Sequence, residues 1–162
     1  MLDGVLKPGP SGGAIVAFER LIARPVDKVW AALTVPERVA DWLARAEIDP
    51  RVGGRYALRF DGGKDFMTGT ITRIEAPRLL EFSWRENDGP VESRVLWELE
   101  PDGDGCRLRL THTFPAGASD LEGFVSGWHT HLDALGGGVP VPWNKARWEA
   151  IDAEYRNQRA GG

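Results

Sequence analysis

Three histidines, one cysteine and an acidic run are the residues of this 162-residue chain best equipped to ligate a metal, move a proton or attack a substrate. His112 stands in RLRLTHTF, where strand alternation puts it on the side of Leu108, Leu110 and Phe114, away from Arg107 and Arg109. An imidazole in apolar surroundings stays neutral and offers one donor and one acceptor. His112 is therefore a candidate to hydrogen-bond a ligand or to act on it as acid or base, against the plainer reading of a core histidine satisfied by backbone or water. His129 and His131 form the sequence HTH in a segment of helical periodicity. Positions two apart on a helix point about 200° apart, so the pair does not share a metal ion, and no Cys or carboxylate cluster with zinc spacing accompanies it. His129 and Asp133 read as an exposed i,i+4 surface pair. His131 flanks the apolar stripe on the side of Phe124 and Leu135, where it reaches toward the interior and is a second candidate to orient a ligand.

The remaining chemistry is muted. Cys106 opens an apolar strand without an activating partner and reads as an inert packing thiol. Glu98, Glu100, Asp102 and Asp104 alternate outward into a turn, as a solvated face does. No Gly-rich phosphate loop, no Gly-x-Ser-x-Gly elbow and no paired Ser or Cys nucleophile is present, and no cofactor is expected.

The elements that must position these residues follow from periodicity and punctuation. Residues 1–13 contain KPGPSGG and read as a flexible lead; residues 14–158 read as a single domain, with 137–158 as a C-terminal extension. Ala14 to Ile22 predicts a strand. Val26, Val29, Trp30 and Leu33 then recur at helical spacing after Pro25. Thr34 and Glu37 are spaced as a capping box for a second short helix carrying Val39, Trp42 and Leu43. From Ile48 to Phe114 short alternating segments are separated by Asp61-Gly62-Gly63, Ala76-Pro77, Asn87-Asp88-Gly89-Pro90 and Asp102-Gly103-Asp104-Gly105, which are turn signals between antiparallel strands. Tyr56, Leu58 and Phe60, Leu80, Phe82 and Trp84, Val95, Trp97 and Leu99 build one apolar face; residues 66–75 alternate too poorly to assign a facing. Ser119 and Glu122 are spaced as a capping box for a long helix with Leu121, Phe124, Val125, Trp128, Leu132 and Leu135 on one side, stopped by Gly136, Gly137 and Gly138 and by Pro140 and Pro142. A final helix is expected from Asn144 to about Arg156, docking through Trp148, Ile151 and Tyr155.

Composition narrows the partners. A hydrophobic fraction of 42% with seven Trp and six Phe fills one substantial core. A net charge of -4 gives no overall field to attract nucleic acid or an anionic membrane surface. With no secretion signal, no long apolar run and a lone cysteine, the expected compartment is the cytoplasm.

The segments FERLIARPVDKVWAALTVPERVADWL, GGRYALRF, GTITRIEAPRLLEFSW, VLWELEPDGDGCRLRLTHTF and GWHTHLDAL span nearly all of Val16 to Leu135. In words and order they resemble the START-like superfamily called SRPBCC, and within it the proteins named after the activator of the heat-shock-protein-ninety ATPase. VPVPWNKARWEAIDAEY resembles the extension carried by a bacterial subgroup. The resemblance implies an α+β helix-grip fold, a curved antiparallel sheet around a long C-terminal helix, with two short helices after the first strand. Such a sheet and helix enclose a hollow. Its inward candidates are Trp42, Phe60, Trp84, Trp97, His112, Phe114, Trp128 and His131, an apolar lining with a few polar points that suits a ring system bearing oxygens. The first functional expectation is binding of a small hydrophobic or aromatic molecule, possible also in a homodimer. A second is a cofactor-independent cyclase or aromatase in which His112 or His131 moves a proton. The third is a chaperone-activator-like interaction module; the family's eukaryotic members pair the resembling domain with an N-terminal chaperone-docking domain that this sequence does not show.

Overall fold

The computed structural model describes residues 2–60, 64–137 and 144–161. The sequence turns at Asp61-Gly62-Gly63 and the stop signals at Gly138, Pro140 and Pro142 lie outside the described residues. Eight strands form one curved, open antiparallel sheet in the order β1-β2-β8-β7-β6-β5-β4-β3. They are β1 (Val5–Pro8), β2 (Ala14–Ile22), β3 (Arg45–Ile48), β4 (Arg55–Phe60), β5 (Asp65–Glu75), β6 (Leu79–Glu86), β7 (Ser93–Asp102) and β8 (Gly105–Phe114). Two short helices, α1 (Val26–Thr34) and α2 (Pro36–Val39), follow β2, and α3 (Leu121–Gly137) and α4 (Lys145–Gly161) follow the sheet. This is the helix-grip arrangement.

One face of each central strand is buried because its apolar residues fall at every second position. Val16 and Phe18, Leu108 and Leu110, Val95 and Trp97, Leu80 and Phe82, and Tyr56 and Leu58 join Val125, Trp128, Leu132 and Leu135 of α3 in a single core cluster. On the other face Glu19, Glu100 and Asp102 meet Arg107, and Glu19 and Glu100 also meet Arg109, so Glu100 and Asp102 of the acidic run belong to a paired outer surface of β2, β7 and β8. In β5, Met67 and Ile71 face the core. The register of β5 against β6 shifts between Ile71 and Arg73, which is why the alternation of residues 66–75 is broken.

Several sequence expectations are corrected. Residues 5–8 pair with residues 14–17 as an edge strand, so the Pro- and Gly-rich lead is not a flexible tail. Its order comes from distant partners: Asp3 takes two hydrogen bonds from Arg20, and the Gly4 amide donates to Tyr155 Oη at 2.9 Å. A strand over Arg45–Ile48 precedes the point where alternation becomes readable. Neither proposed capping box forms. Thr34 Oγ1 instead donates back to the Trp30 carbonyl, and Val35 is the N-cap of α2, without a side-chain cap. Asp120 takes a left-handed φ of 56°, so α3 begins at Leu121, one register too late for a Ser119 cap. Gly136 and Gly137 continue α3 and do not stop it. The last helix runs on to Gly161, with Ile151, Asp152 and Tyr155 buried.

Candidate functional site

The eight residues singled out as inward-facing form one contiguous cluster on the concave face, between the sheet and α3. Phe114 stacks on His112 with ring centres 4.1 Å apart, and His112 lies 5.3 Å from Trp84. Trp84 meets Trp128 at 5.5 Å and Phe60 at 6.3 Å, and Phe60 meets His131 at 6.1 Å. Trp128 stands edge-on to Trp97, and Trp97 edge-on to Trp42. Phe124, a member the site expectation omitted, closes the far end against Phe114 at 4.8 Å. The interior is thus an aromatic layer in mutual contact. Trp84, Trp97, His112, Phe114 and Trp128 are buried, while Phe60, Phe124 and His131 are only partly covered and form its rim.

The polar atoms of this layer are arranged with care for donor and acceptor. Trp128 Nε1 donates to His112 Nδ1 at 3.0 Å. The tautomer follows: His112 carries its proton on Nε2 and donates it to Ser93 Oγ at 2.7 Å, and Ser93 in turn donates to the Trp84 carbonyl at 3.3 Å. Four elements, α3, β8, β7 and β6, are tied by this buried relay. Burial pushes the His112 pKa down to about 3, so the ring is neutral. With both nitrogens occupied, His112 holds the helix onto the sheet and has no vacant lone pair or proton for a substrate. Ser93 was missed because a serine at the start of a strand, after Asn87-Asp88-Gly89-Pro90, carries no apolar signal.

His131 accepts a different position. Its Nδ1 lies 3.3 Å from the Trp42 carbonyl, and burial pushes its pKa down to about 4 despite that bond. The adjacent end of the layer rests on α1, whose last carbonyls take up two buried donors: Trp42 Nε1 donates to Ala32 and Tyr56 Oη to Leu33, each at 2.7 Å. At the opposite rim Trp84 Nε1 donates to Glu86, whose carboxyl is raised by desolvation against that hydrogen bond.

His129 is not the exposed surface residue its spacing with Asp133 implied. It is buried, because α4 and the N-terminal lead cover that side of α3. Its Nδ1 lies 2.7 Å from Tyr155 Oη, which also accepts from the Gly4 amide. Asp133 is 3.6 Å from His129 Nε2, and it also receives Arg20 at 2.5 Å and pairs with Arg147. His129 and His131 point to different sides of α3, and no group of three or more metal-ligating side chains occurs among the described residues. Cys106 is buried, and desolvation raises its thiol, as expected of a packing residue.

A curved, open antiparallel sheet with C-terminal helices is the helix-grip fold of the SRPBCC class. The profile of the Activator of Hsp90 ATPase homolog 1-like proteins matches residues 23–137. The chain belongs to that family. Among solved structures it is similar to CalU16 from Micromonospora echinospora, at 29% identity over 96% of each chain with a TM-score of 0.75. It is similar at 25% identity to DynU16, a protein of the dynemicin biosynthetic locus, over 80% of this chain and 49% of DynU16 with a TM-score of 0.73. MLL2253 from Mesorhizobium loti is 26% identical over 76% of this chain and 94% of its own, with a TM-score of 0.69. No curated protein matches the chain. No helix among the described residues is long and apolar enough to cross a membrane.

Proposed function

We propose that this protein binds a small hydrophobic or aromatic molecule between α3 and the concave face of the sheet, without a resident cofactor. The observation that carries the reading is the contiguous aromatic layer itself, whose rim at Phe60, Phe124 and His131 is partly exposed. Rings present broad faces at low conformational cost, and an apolar ligand gains by leaving water for them. The similarity to DynU16, a protein of the dynemicin biosynthetic locus, supports a biosynthetic small molecule as the occupant. Ligand enters at the rim by displacing the partly covered rings. Native mass spectrometry of freshly purified protein, together with titration by the neutral probe N-phenyl-1-naphthylamine, tests this. A retained mass or one-to-one probe uptake that competes with a polycyclic aromatic supports it; a bare mass and no uptake end it.

A cyclase-type activity is the second reading, and His131 is the group that favours it. It stands at the partly covered rim of the layer, beside Phe60. In this reading the layer folds a reactive chain and the His131 imidazole moves a proton. Turnover of a polyketide-like chain that survives His112→Gln but is lost in His131→Gln supports it; turnover equal in both variants and wild type removes it.

A further inference from the structure

The aromatic layer satisfies its own polar atoms with one exception. The indoles of Trp42, Trp84 and Trp128 donate to Ala32, Glu86 and His112, and the Tyr56 hydroxyl donates to Leu33. Trp97 Nε1 has no hydrogen-bond partner, although the residue is only 1% exposed. The ring stands edge-to-face between Trp42, at 6.0 Å, and Trp128, at 5.4 Å, in the middle of the layer. A buried N–H without an acceptor carries a desolvation penalty that a phenylalanine of similar shape would avoid. An indole kept there in spite of the penalty is a donor awaiting an acceptor.

Resting on the ligand-binding reading above, we infer that Trp97 Nε1 is the polar anchor of the site and that the ligand is an uncharged hydrophobe presenting a carbonyl-type oxygen to it. The surroundings exclude the alternatives in kind. The rings that flank Trp97, those of Trp42 and Trp128, carry no charge, so a carboxylate placed against its Nε1 gains no counter-charge from them. The indole nitrogen can only donate, so a ligand bringing its own donor to this spot leaves two donors facing each other. A ketone, quinone or ester oxygen satisfies the indole and leaves nothing else unpaired.

The matched pair 9-fluorenone and fluorene isolates the claim, since the two share a skeleton and differ in carbonyl against methylene. Fluorene is the more hydrophobic, so burial alone favours it. Equilibrium dialysis is expected to show wild-type protein preferring fluorenone on the order of tenfold, the worth of one net buried hydrogen bond. In Trp97→Phe, checked for folding by circular dichroism, the preference falls to about one or reverses while fluorene affinity is kept. The infrared carbonyl stretch of fluorenone bound to wild-type protein gives a readout that needs no variant, and it is expected at the lowered frequency of a hydrogen-bonded ketone. Equal affinities in the wild type, a preference that survives Trp97→Phe, or a bound carbonyl at its hydrocarbon-solvent frequency overturns the anchor and leaves the ligand-binding reading standing. Uptake of neither compound takes both down.

Discussion

Replacing His112 by leucine puts the buried relay to a quantitative test. The substitution is close to volume-neutral, but it strips Trp128 Nε1 of the acceptor 3.0 Å away and removes the donor to Ser93 Oγ. Ser93 keeps the Trp84 carbonyl, so the orphan that matters is the indole N–H, at about 1–3 kcal/mol. Losing the ring stacked on Phe114 adds roughly 0.5–1 kcal/mol. His112→Leu is therefore expected to destabilise by about 1.5–4 kcal/mol. Trp128→Phe alone orphans His112 Nδ1 and leaves space where the indole lay, for a loss of about 2–4 kcal/mol. The double variant contains neither orphan. Its loss should fall short of the sum of the singles by about 1–2 kcal/mol, the signature of two groups in one network. Urea unfolding followed by far-ultraviolet circular dichroism, at pH 7.5 where the imidazole is neutral in both states, gives the four stabilities. Additivity within about 0.3 kcal/mol would refute the reasoning, because it would mean that the indole and imidazole do not depend on each other.

Acid should unfold the protein through the same histidine. An ordinary histidine titrates near 6.5 and His112 near 3, so below 6.5 the unfolded chain takes up a proton that the folded one refuses. Stability is complete above that value and lost as pH falls toward 3, by about tenfold in the unfolding constant per pH unit per such histidine; His131, near 4, adds its share down to about pH 4. Urea midpoints between pH 7 and 4 should fall more steeply for the wild type than for His112→Leu, and identical slopes would contradict the assignment. Tyr155→Phe removes the acceptor for the Gly4 amide and the hydroxyl partner of His129, and should cost about 1–3 kcal/mol with faster hydrogen exchange in β1 and α4; unchanged exchange there would show that the clasp is idle. Gly69→Ala would place a Cβ 1.9 Å from the Ser83 carbonyl oxygen, backbone that has no room to yield, so soluble expression or thermal midpoint should drop sharply. A stable variant would mean that β5 and β6 pair differently. The buried Cys106 thiol should resist iodoacetamide until the protein is unfolded, and rapid native labelling would place it elsewhere.

What was legible in the chain tracks how local each signal is. Strands β4, β6, β7 and β8 announce themselves because a sheet with one buried face writes its facing into every second residue, and His112 betrays its burial by standing in that series. Phe60, Trp84, Trp97 and Phe114 belong to the same strand series, whereas Trp128 follows from the helical spacing of α3. Strand β1 was hidden since its order depends on Arg20 and Tyr155, far along the chain, and not on its own composition. His129 was misread because helix spacing shows only the neighbours on α3, whereas its cover comes from α4 and the lead. The tautomer of His112 and the unpartnered indole of Trp97 depend on angles and distances that no pattern of residue types encodes.

The bond between Gly4 and Tyr155 joins residues 151 positions apart. It hands part of the burden of holding the edge strand to α4: β1 is fastened along its length to β2, and the residue just before it is pinned from outside the sheet by the helix. Loosening the docked helix would therefore weaken the outermost seam of the sheet without breaking a single strand-to-strand bond.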